Sequence, residues 1–319
     1  MHTIAHTQVQ CEVNASEAVT TGLDVIVRVG GRDSSGGDGL FSYSAPRVDA
    51  ASVVGTRGGE VTVSGSSFGA SGTNVSVMIA GRVCDDVRHV IEHSRVACVA
   101  AAGAGSGWDV SVAVDGVAGV GRGVFSYAAP VIYNVSSVGT RGGVVSVHGA
   151  NFGSTAEEEV SVVVAGAVCA SARTAEHRIV TCDAAAIGSG GIAHPVVLHI
   201  GERWADGSLS CKPPAVHNVT GPRTSGGPVT VRGTNFGVSG ATIRVGGRDC
   251  TGVQHLVVHE LLRCELSALS GAVNASGYDV VVSLSGQSGQ GRLRYEAPSV
   301  ARVSSIDTRG GRVTVTGVS

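Results

Sequence analysis

Valine alternates with polar residues in short runs, and the runs return at a fixed step. Val61-Thr62-Val63-Ser64-Gly65 is followed by Val145-Ser146-Val147-His148-Gly149, Val229-Thr230-Val231-Arg232-Gly233 and Val313-Thr314-Val315-Thr316-Gly317, each 84 residues after the last. Side chains alternate faces along a strand, so this pattern predicts half-buried β-strands. Asp24 to Val29, Asp109 to Val114 and Asp279 to Leu284 read the same way. No window keeps a helical period for more than two turns. About seven short strands per repeat, separated by glycine-rich turns, predict a β-sandwich.

The 84-residue step governs other positions too. Pro46, Pro130, Pro214 and Pro298 keep it, as do Phe68, Phe152 and Phe236, each followed by glycine. A long fixed period means an array of similar units. The expected domains are three complete repeats, 46–129, 130–213 and 214–297. Residues 1–45 read as the C-terminal part of a preceding repeat and 298–319 as the N-terminal part of a further one. The expectation is therefore a piece of a longer array. Tyr43-Ser44-Ala45-Pro46-Arg47-Val48 leaves almost no spacer between units. Proline fixes its own φ and biases its predecessor to extended geometry. Joints this short predict a semi-rigid rod.

Gly55-Thr56-Arg57-Gly58-Gly59 recurs at 139–143 and, with changes, at 222–227 and 307–311. Paired glycines before a strand supply positive φ for a tight turn. A phosphate-binding loop would need a Lys-Ser/Thr ending and a following helix, and neither is present.

Pro-x-Val, then Gly-Gly-x-Val-Thr-Val-x-Gly-x-x-Phe-Gly, then a cysteine pair, resembles the IPT/TIG domain, an immunoglobulin-like fold shared by plexins and transcription factors. The resemblance covers essentially the whole chain. It implies an all-β fold: a tandem array of early-set immunoglobulin-like β-sandwiches. Tandem copies in this family occur in plexins, growth-factor-receptor-type kinases, fibrocystin-like proteins and large microbial surface proteins. Single copies occur in DNA-binding transcription factors.

Composition narrows these options. Net charge is −2, so no long-range field attracts nucleic acid. Aromatic residues are only 4% and glycine is 48 of 319, so each repeat has a light core of Val, Ile and Ala. Small domains of this kind gain from covalent staples. Met1 to Val13 lacks the apolar run of a signal peptide, and no stretch of about 18 apolar residues could span a bilayer.

Six of the eight cysteines occupy corresponding places: Cys84 with Cys98, Cys169 with Cys182, Cys250 with Cys264. Each pair is expected to be a disulfide closing a short loop, which contributes about 3 kcal/mol in the chain-entropy model. Zinc ligation fits two cysteines per unit poorly. Cys11 and Cys211 are left unpaired or intermolecular. Cys11 matches the second member of a pair, and Cys211 replaces Tyr127 of the previous repeat. Five of seven asparagines begin Asn-x-Ser/Thr: Asn14, Asn74, Asn134, Asn218 and Asn274. With Ser and Thr at 56 of 319, chance predicts about one. These are expected glycosylation sites, which with disulfides imply an extracellular or cell-surface location.

Catalytic chemistry is not expected. His93, His177 and His259 each stand five residues before the second cysteine, with His89 and His255 four residues earlier still. On a strand, residues four apart lie about 13 Å from each other, so a shared metal is not expected. Repeated loop histidines are the simpler reading, with a pH-sensitive contact between neighbours as the sharper one. Glu157-Glu158-Glu159 and Asp85-Asp86 read as solvated charge. Trp108 and Trp204 invite a sugar-stacking reading, but Trp108 reads better as core, since Tyr278 and Leu23 take its place elsewhere. No catalytic residue, cofactor or metal is assigned.

The function expected is an extracellular tandem-repeat glycoprotein forming a semi-rigid rod, in a cell-surface filament, appendage or adhesion array. The alternative is the ligand-binding ectodomain of a plexin- or fibrocystin-like receptor; nucleic-acid binding ranks lower. Expected partners are other copies of itself or other surface proteins, with N-linked glycans, no nucleic acid and no membrane span in this segment.

Overall fold

The computed structural model describes residues 2–4, 8–16, 20–153, 159–222, 226–268, 277–294, 299–306 and 308–318. Among them, all regular structure is β-strand. The first complete repeat contains β1 (Arg47–Ala51), β2 (Gly59–Ser66), β3 (Val75–Ile79), β4 (Arg82–Ile91), β5 (Arg95–Ala100), β6 (Ser106–Val114) and β7 (Val117–Ser126). Their hydrogen-bonded order is β7-β6-β3-β4-β5-β2-β1, with every pair antiparallel.

The long strand β4 changes partner midway. Cys84 pairs with Val77 of β3, whereas Asp85 pairs with Val99 of β5. An irregular register follows, with Asp86 at φ 53°. Ser171 (φ 55°) and Gly252 (φ 61°) take the same role in the later repeats. This bend folds the series into the two layers of an immunoglobulin-like sandwich.

The second repeat has seven strands in the same arrangement: β8 (Val131–Val135), β9 (Gly143–Ala150), β10 (Val160–Val164), β11 (Ala167–Ala175), β12 (Ile179–Ala184), β13 (His194–Ile200) and β14 (Arg203–Leu209). The third has β15 (Ala215–Thr220), β16 (Gly227–Thr234), β17 (Thr242–Val245), β18 (Arg248–Val257), β19 (Leu261–Leu266), β20 (Tyr278–Leu284) and β21 (Gln287–Leu293).

The alternating valines face inward as their period requires. Val61 and Val63, Val145 and Val147, and Val229 and Val231 are all fully buried. Phe68, Phe152 and Phe236 anchor the three cores, also fully buried. The glycine three residues before each phenylalanine is a steric requirement. A Cβ on Gly149 would lie 1.9 Å from the Val131 carbonyl oxygen and 2.4 Å from Cζ of Phe152. Gly65 and Gly233 are enclosed in the same way. The sulfurs of Cys84 and Cys98, Cys169 and Cys182, and Cys250 and Cys264 are bonded, joining β4 to β5, β11 to β12 and β18 to β19.

Two expectations differ from the structure. Asp24 to Val29 forms a strand only at Arg28–Val29, paired with Arg32–Asp33. Upstream, Leu23 makes an isolated bridge to Phe41, and Val25, Ile26 and Val27 remain exposed. Trp108 is not core: it is 38% exposed, and its indole Nε1–H donates to the Ala104 carbonyl at 2.8 Å. The polar edge of the ring dictates this, because a fully buried indole must still find an acceptor.

Candidate functional site

Three recurring motifs of the sequence meet where one repeat joins the next. The first and second repeats each offer a Gly-Thr-Arg-Gly-Gly turn at one end. Gly58 N–H donates to the Gly55 carbonyl at 2.9 Å, and Gly142 N–H donates to Gly139 at the same distance. Gly58 and Gly142 have φ of 79° and 83°, and a Cβ on either would lie within 2.3 Å of a backbone oxygen of its own repeat. Glycine is therefore required there.

The receiving surface belongs to the following repeat and consists of two tight turns stitched together. Phe152 N–H donates to the His177 carbonyl at 3.0 Å, and Phe236 N–H donates to that of His259 at 3.1 Å. Asn151 (φ 61°), His177 (φ 60°), Asn235 (φ 63°) and His259 (φ 71°) are all left-handed. Asparagine and histidine are among the residues enriched in that region, which accounts for part of their recurrence.

Their side chains account for the rest. At the first joint, Thr56 N–H donates to Oδ1 of Asn151 at 3.4 Å, while Nδ2 of Asn151 donates to the linker carbonyl of Ala129 at 3.1 Å. At the second, Thr140 N–H donates to Oδ1 of Asn235 at 3.3 Å, and Nδ2 of Asn235 donates to the Pro213 carbonyl at 3.0 Å. Each asparagine thus fastens the turn and the linker at once. Each threonine hydroxyl meets a histidine: Thr56 Oγ1 lies 3.2 Å from Nδ1 of His177, and Thr140 Oγ1 lies 2.8 Å from Nδ1 of His259. The arginines complete the contact. Arg57 Nη2 donates to the Glu176 carbonyl at 2.9 Å, and Arg141 pairs with the Glu260 carboxylate at 2.8 Å.

The exits of the first and second repeats are pinned to the same end. Val54 and Tyr127, and Val138 and Cys211, form isolated parallel bridges. Ala128 N–H and Lys212 N–H donate to the Val54 and Val138 carbonyls, at 2.7 and 2.8 Å.

The two joints differ in depth. The first leaves a cavity of about 120 Å³ beside Thr56, Asn151 and His177, and His177 is half-buried. The second adds contacts from the hairpin turn between β20 and β21. Ser285 Oγ donates to the Ser189 carbonyl at 2.6 Å, and Gln287 Nε2 donates to that of Cys211 at 2.8 Å. Thr140 and His259 are buried there. Burial pulls the His259 imidazole below its ordinary pKa. The Arg141 guanidinium and His255 act the same way, and the Glu260 carboxylate opposes them. Burial also pulls His255 down. Neither of its ring nitrogens makes a hydrogen bond of ordinary geometry, although the backbone of Gly237 partly offsets the burial.

The motifs assembled at these joints are those of a known family. The model of the IPT/TIG domain matches residues 46–127, 130–218 and 214–296. The chain belongs to the IPT/TIG domain family. Among curated proteins no sequence match is found. Solved structures give distant likenesses. A crystal structure with xylogluco-oligosaccharide has TM-score 0.40 at 14% identity, covering 78% of this chain and 59% of that one. The full extracellular region of plexin A4 has TM-score 0.26 at 15% identity, covering 74% and 22%. The I9–I11 tandem of titin has TM-score 0.24 at 10% identity, covering 79% and 97%.

Of the other expected site residues, Cys211 reaches a joint of these IPT/TIG repeats, through its carbonyl at the second one. Asn14, Asn74, Asn134 and Asn218 are exposed; Asn274, like Glu157 and Glu158, lies outside the described residues. Asn134 and Asn218 sit at equivalent bulges on the edge strands β8 and β15. Cys11 is free and exposed. Cys211 is free but only 1% exposed, and burial pushes its thiol pKa up. Cys211 is enclosed in the core of its own repeat and bonds to no other cysteine among the described residues. A Cys11–Cys211 bridge is likewise not formed. No group of three or more metal-ligating side chains converges among the described residues.

The joint makes a direct prediction. Thr140→Val keeps the shape of the side chain but leaves Nδ1 of His259 without its partner. A buried polar group left unsatisfied costs about 1–3 kcal/mol. Hydrogen exchange in the 138–143 turn should quicken by roughly tenfold or more, with core protection in both flanking repeats unchanged. Unchanged exchange in the turn would show that the hydroxyl does not hold the joint.

Proposed function

We propose that this chain is a non-enzymatic, extracellular semi-rigid rod, a structural component of a cell-surface filament, appendage or adhesion array. The observation that carries this reading is the joint, made twice from the same motifs. Fastening turn, linker and histidine together restricts the pivoting that is otherwise expected between domains with small interfaces. Three buried disulfides support an oxidising compartment.

Exposed apolar residues on the sandwich faces support contacts with other copies or other surface proteins. Val83, Met78 and Val120 lie in one row across β4, β3 and β7, at 65%, 41% and 56% exposure. Val168 and Trp204 are exposed on the corresponding sheet of the second repeat, at 70% and 63%. In the third repeat the row carries the Arg244–Asp249 ion pair. Exposed sequons on β8 and β15 would place glycans on strand edges, where bulk and hydration discourage unwanted edge pairing.

The test combines electron microscopy with peptide mass spectrometry of unreduced native material. Expected are straight particles of uniform length, intact pairs within each repeat, and glycans on Asn134 and Asn218. Freely bent strings of domains would overturn the rod, and free thiols with bare asparagines would overturn the compartment.

A further inference from the structure

We propose that the joint between the second and third complete repeats is a proton-operated hinge, held by neutral His259 seated against Thr140 and released as the pH falls below neutrality. The inference rests on the rod reading and adds regulation to it. The geometry comes first. His259 is 6% exposed and Thr140 is fully buried, with 2.8 Å between Nδ1 and Oγ1. The histidine therefore has water on almost no side while the joint is closed, and opening restores its hydration.

The groups facing His259 come from both repeats. Arg141 enters from the turn of the second repeat, and Glu260 and His255 from the third. Arg141 is tied to Glu260 at 2.8 Å, so this carboxylate is already engaged and is a poor counter-ion for a second cation. His255 adds a second imidazole, neither ring nitrogen of which makes a hydrogen bond of ordinary geometry. Protonating His259 would place another positive charge beside Arg141 in a site with little water, and protonating His255 would add one beside His259, which is unfavourable.

The sign follows from linkage. In the open joint the imidazole titrates near its ordinary value of 6.5. In the closed joint the neutral form is favoured. The open state therefore binds more protons, and closure is complete above the ordinary value and weakens as pH falls through it. The closing constant drops by up to about tenfold per pH unit for each imidazole that must stay neutral.

The first joint lacks this construction. His177 is half-buried, its distance to Thr56 is 3.2 Å, and Arg57 binds the backbone carbonyl of Glu176. The pH response is assigned to the second joint alone.

The test uses small-angle X-ray scattering of the full chain at pH 7.5 and 5.0. The wild type should be extended at pH 7.5 and shorter, with a broader distance distribution, at pH 5.0. His259→Asn retains a residue suited to φ 71° and an amide that does not titrate, and paired with His255→Gln it should abolish the change. A wild type extended and unaltered at both values overturns the hinge and leaves the rod standing. An unchanged pH response in the double variant also overturns the hinge. Bent, heterogeneous particles already at pH 7.5 overturn the rod and the hinge with it. NMR titration of the wild-type His259 ring gives a check that needs no variant. Its midpoint should coincide with the onset of faster exchange in the 138–143 turn, and separate midpoints overturn the proposal.

Discussion

Phe152→Ala is expected to destabilise the second repeat by about 3–5 kcal/mol, the range for removing a buried aromatic side chain. Phe152 is fully buried and lies directly over Gly149. The backbone beneath it cannot close the space, because Gly149 already sits against the Val131 carbonyl. The cost should therefore fall toward the upper end of the range. The rest of this buried core is Val, Leu, Ile, Ala and Cys, with no second aromatic ring among the described residues. The loss compares with about 5–15 kcal/mol for a whole domain. Phe152 also lies between Asn151 and Gly153, so the surface that receives the Thr56 turn should fail with it. Urea unfolding followed by tryptophan fluorescence separates the repeats, because Trp108 reports on the first and Trp204 on the second. The Trp204 transition should move to markedly lower urea and the Trp108 transition only slightly. A shift worth less than about 1 kcal/mol would mean the ring does not anchor the core.

Those same residues show what was legible in the sequence. The Val-x-Val-x-Gly-x-x-Phe-Gly run predicts strand, turn and core because every contact that fixes it is local or lies within one sandwich. The cysteine pairs were legible for the same reason. The joint was not. His177 and His259 recur at a fixed place, but their partners Thr56 and Thr140 stand 121 and 119 residues away and belong to another repeat. A period aligns each residue with its own counterpart and says nothing about which different positions touch across a boundary. The bland loop reading of the histidines followed from that. One signal was available: Asn-Phe-Gly and Thr-Arg-Gly-Gly are both more regular than solvent-exposed turns need to be. The Asp24 to Val29 strand was overread because alternation records a face that could be buried, not the neighbour that buries it. Trp108 was misplaced because its size suggested core, while its N–H required an acceptor at the rim.

Removing a disulfide should be the other large effect. Cys250→Ala with Cys264→Ala is expected to cost the third repeat about 3 kcal/mol from the opened loop alone, since 14 residues separate the pair. Cys250 and Cys264 are 5% and 1% exposed, in one buried cluster with Val229, Ile243 and Leu262, so truncation adds a packing loss to the entropy effect. The pair ties β18 to β19 at the last residue of β18 still paired with β17, immediately before the bend, where the register is irregular. Loss of the link should loosen the bend first, then the His259 turn that follows it, and with that turn the second joint. Denaturation of the double variant should therefore lower the stability of the third repeat and, to a lesser degree, the protection of the 138–143 turn in the second. The first repeat, two boundaries away with no shared partners, should be unaffected, because distant sites act additively. Cys84 with Cys98 removed instead should reverse the pattern, weakening the first repeat and leaving the third intact. Equal effects on all three repeats from either double variant would show that the array unfolds as one unit, and the division of stability among repeats argued from their separate cores would fail.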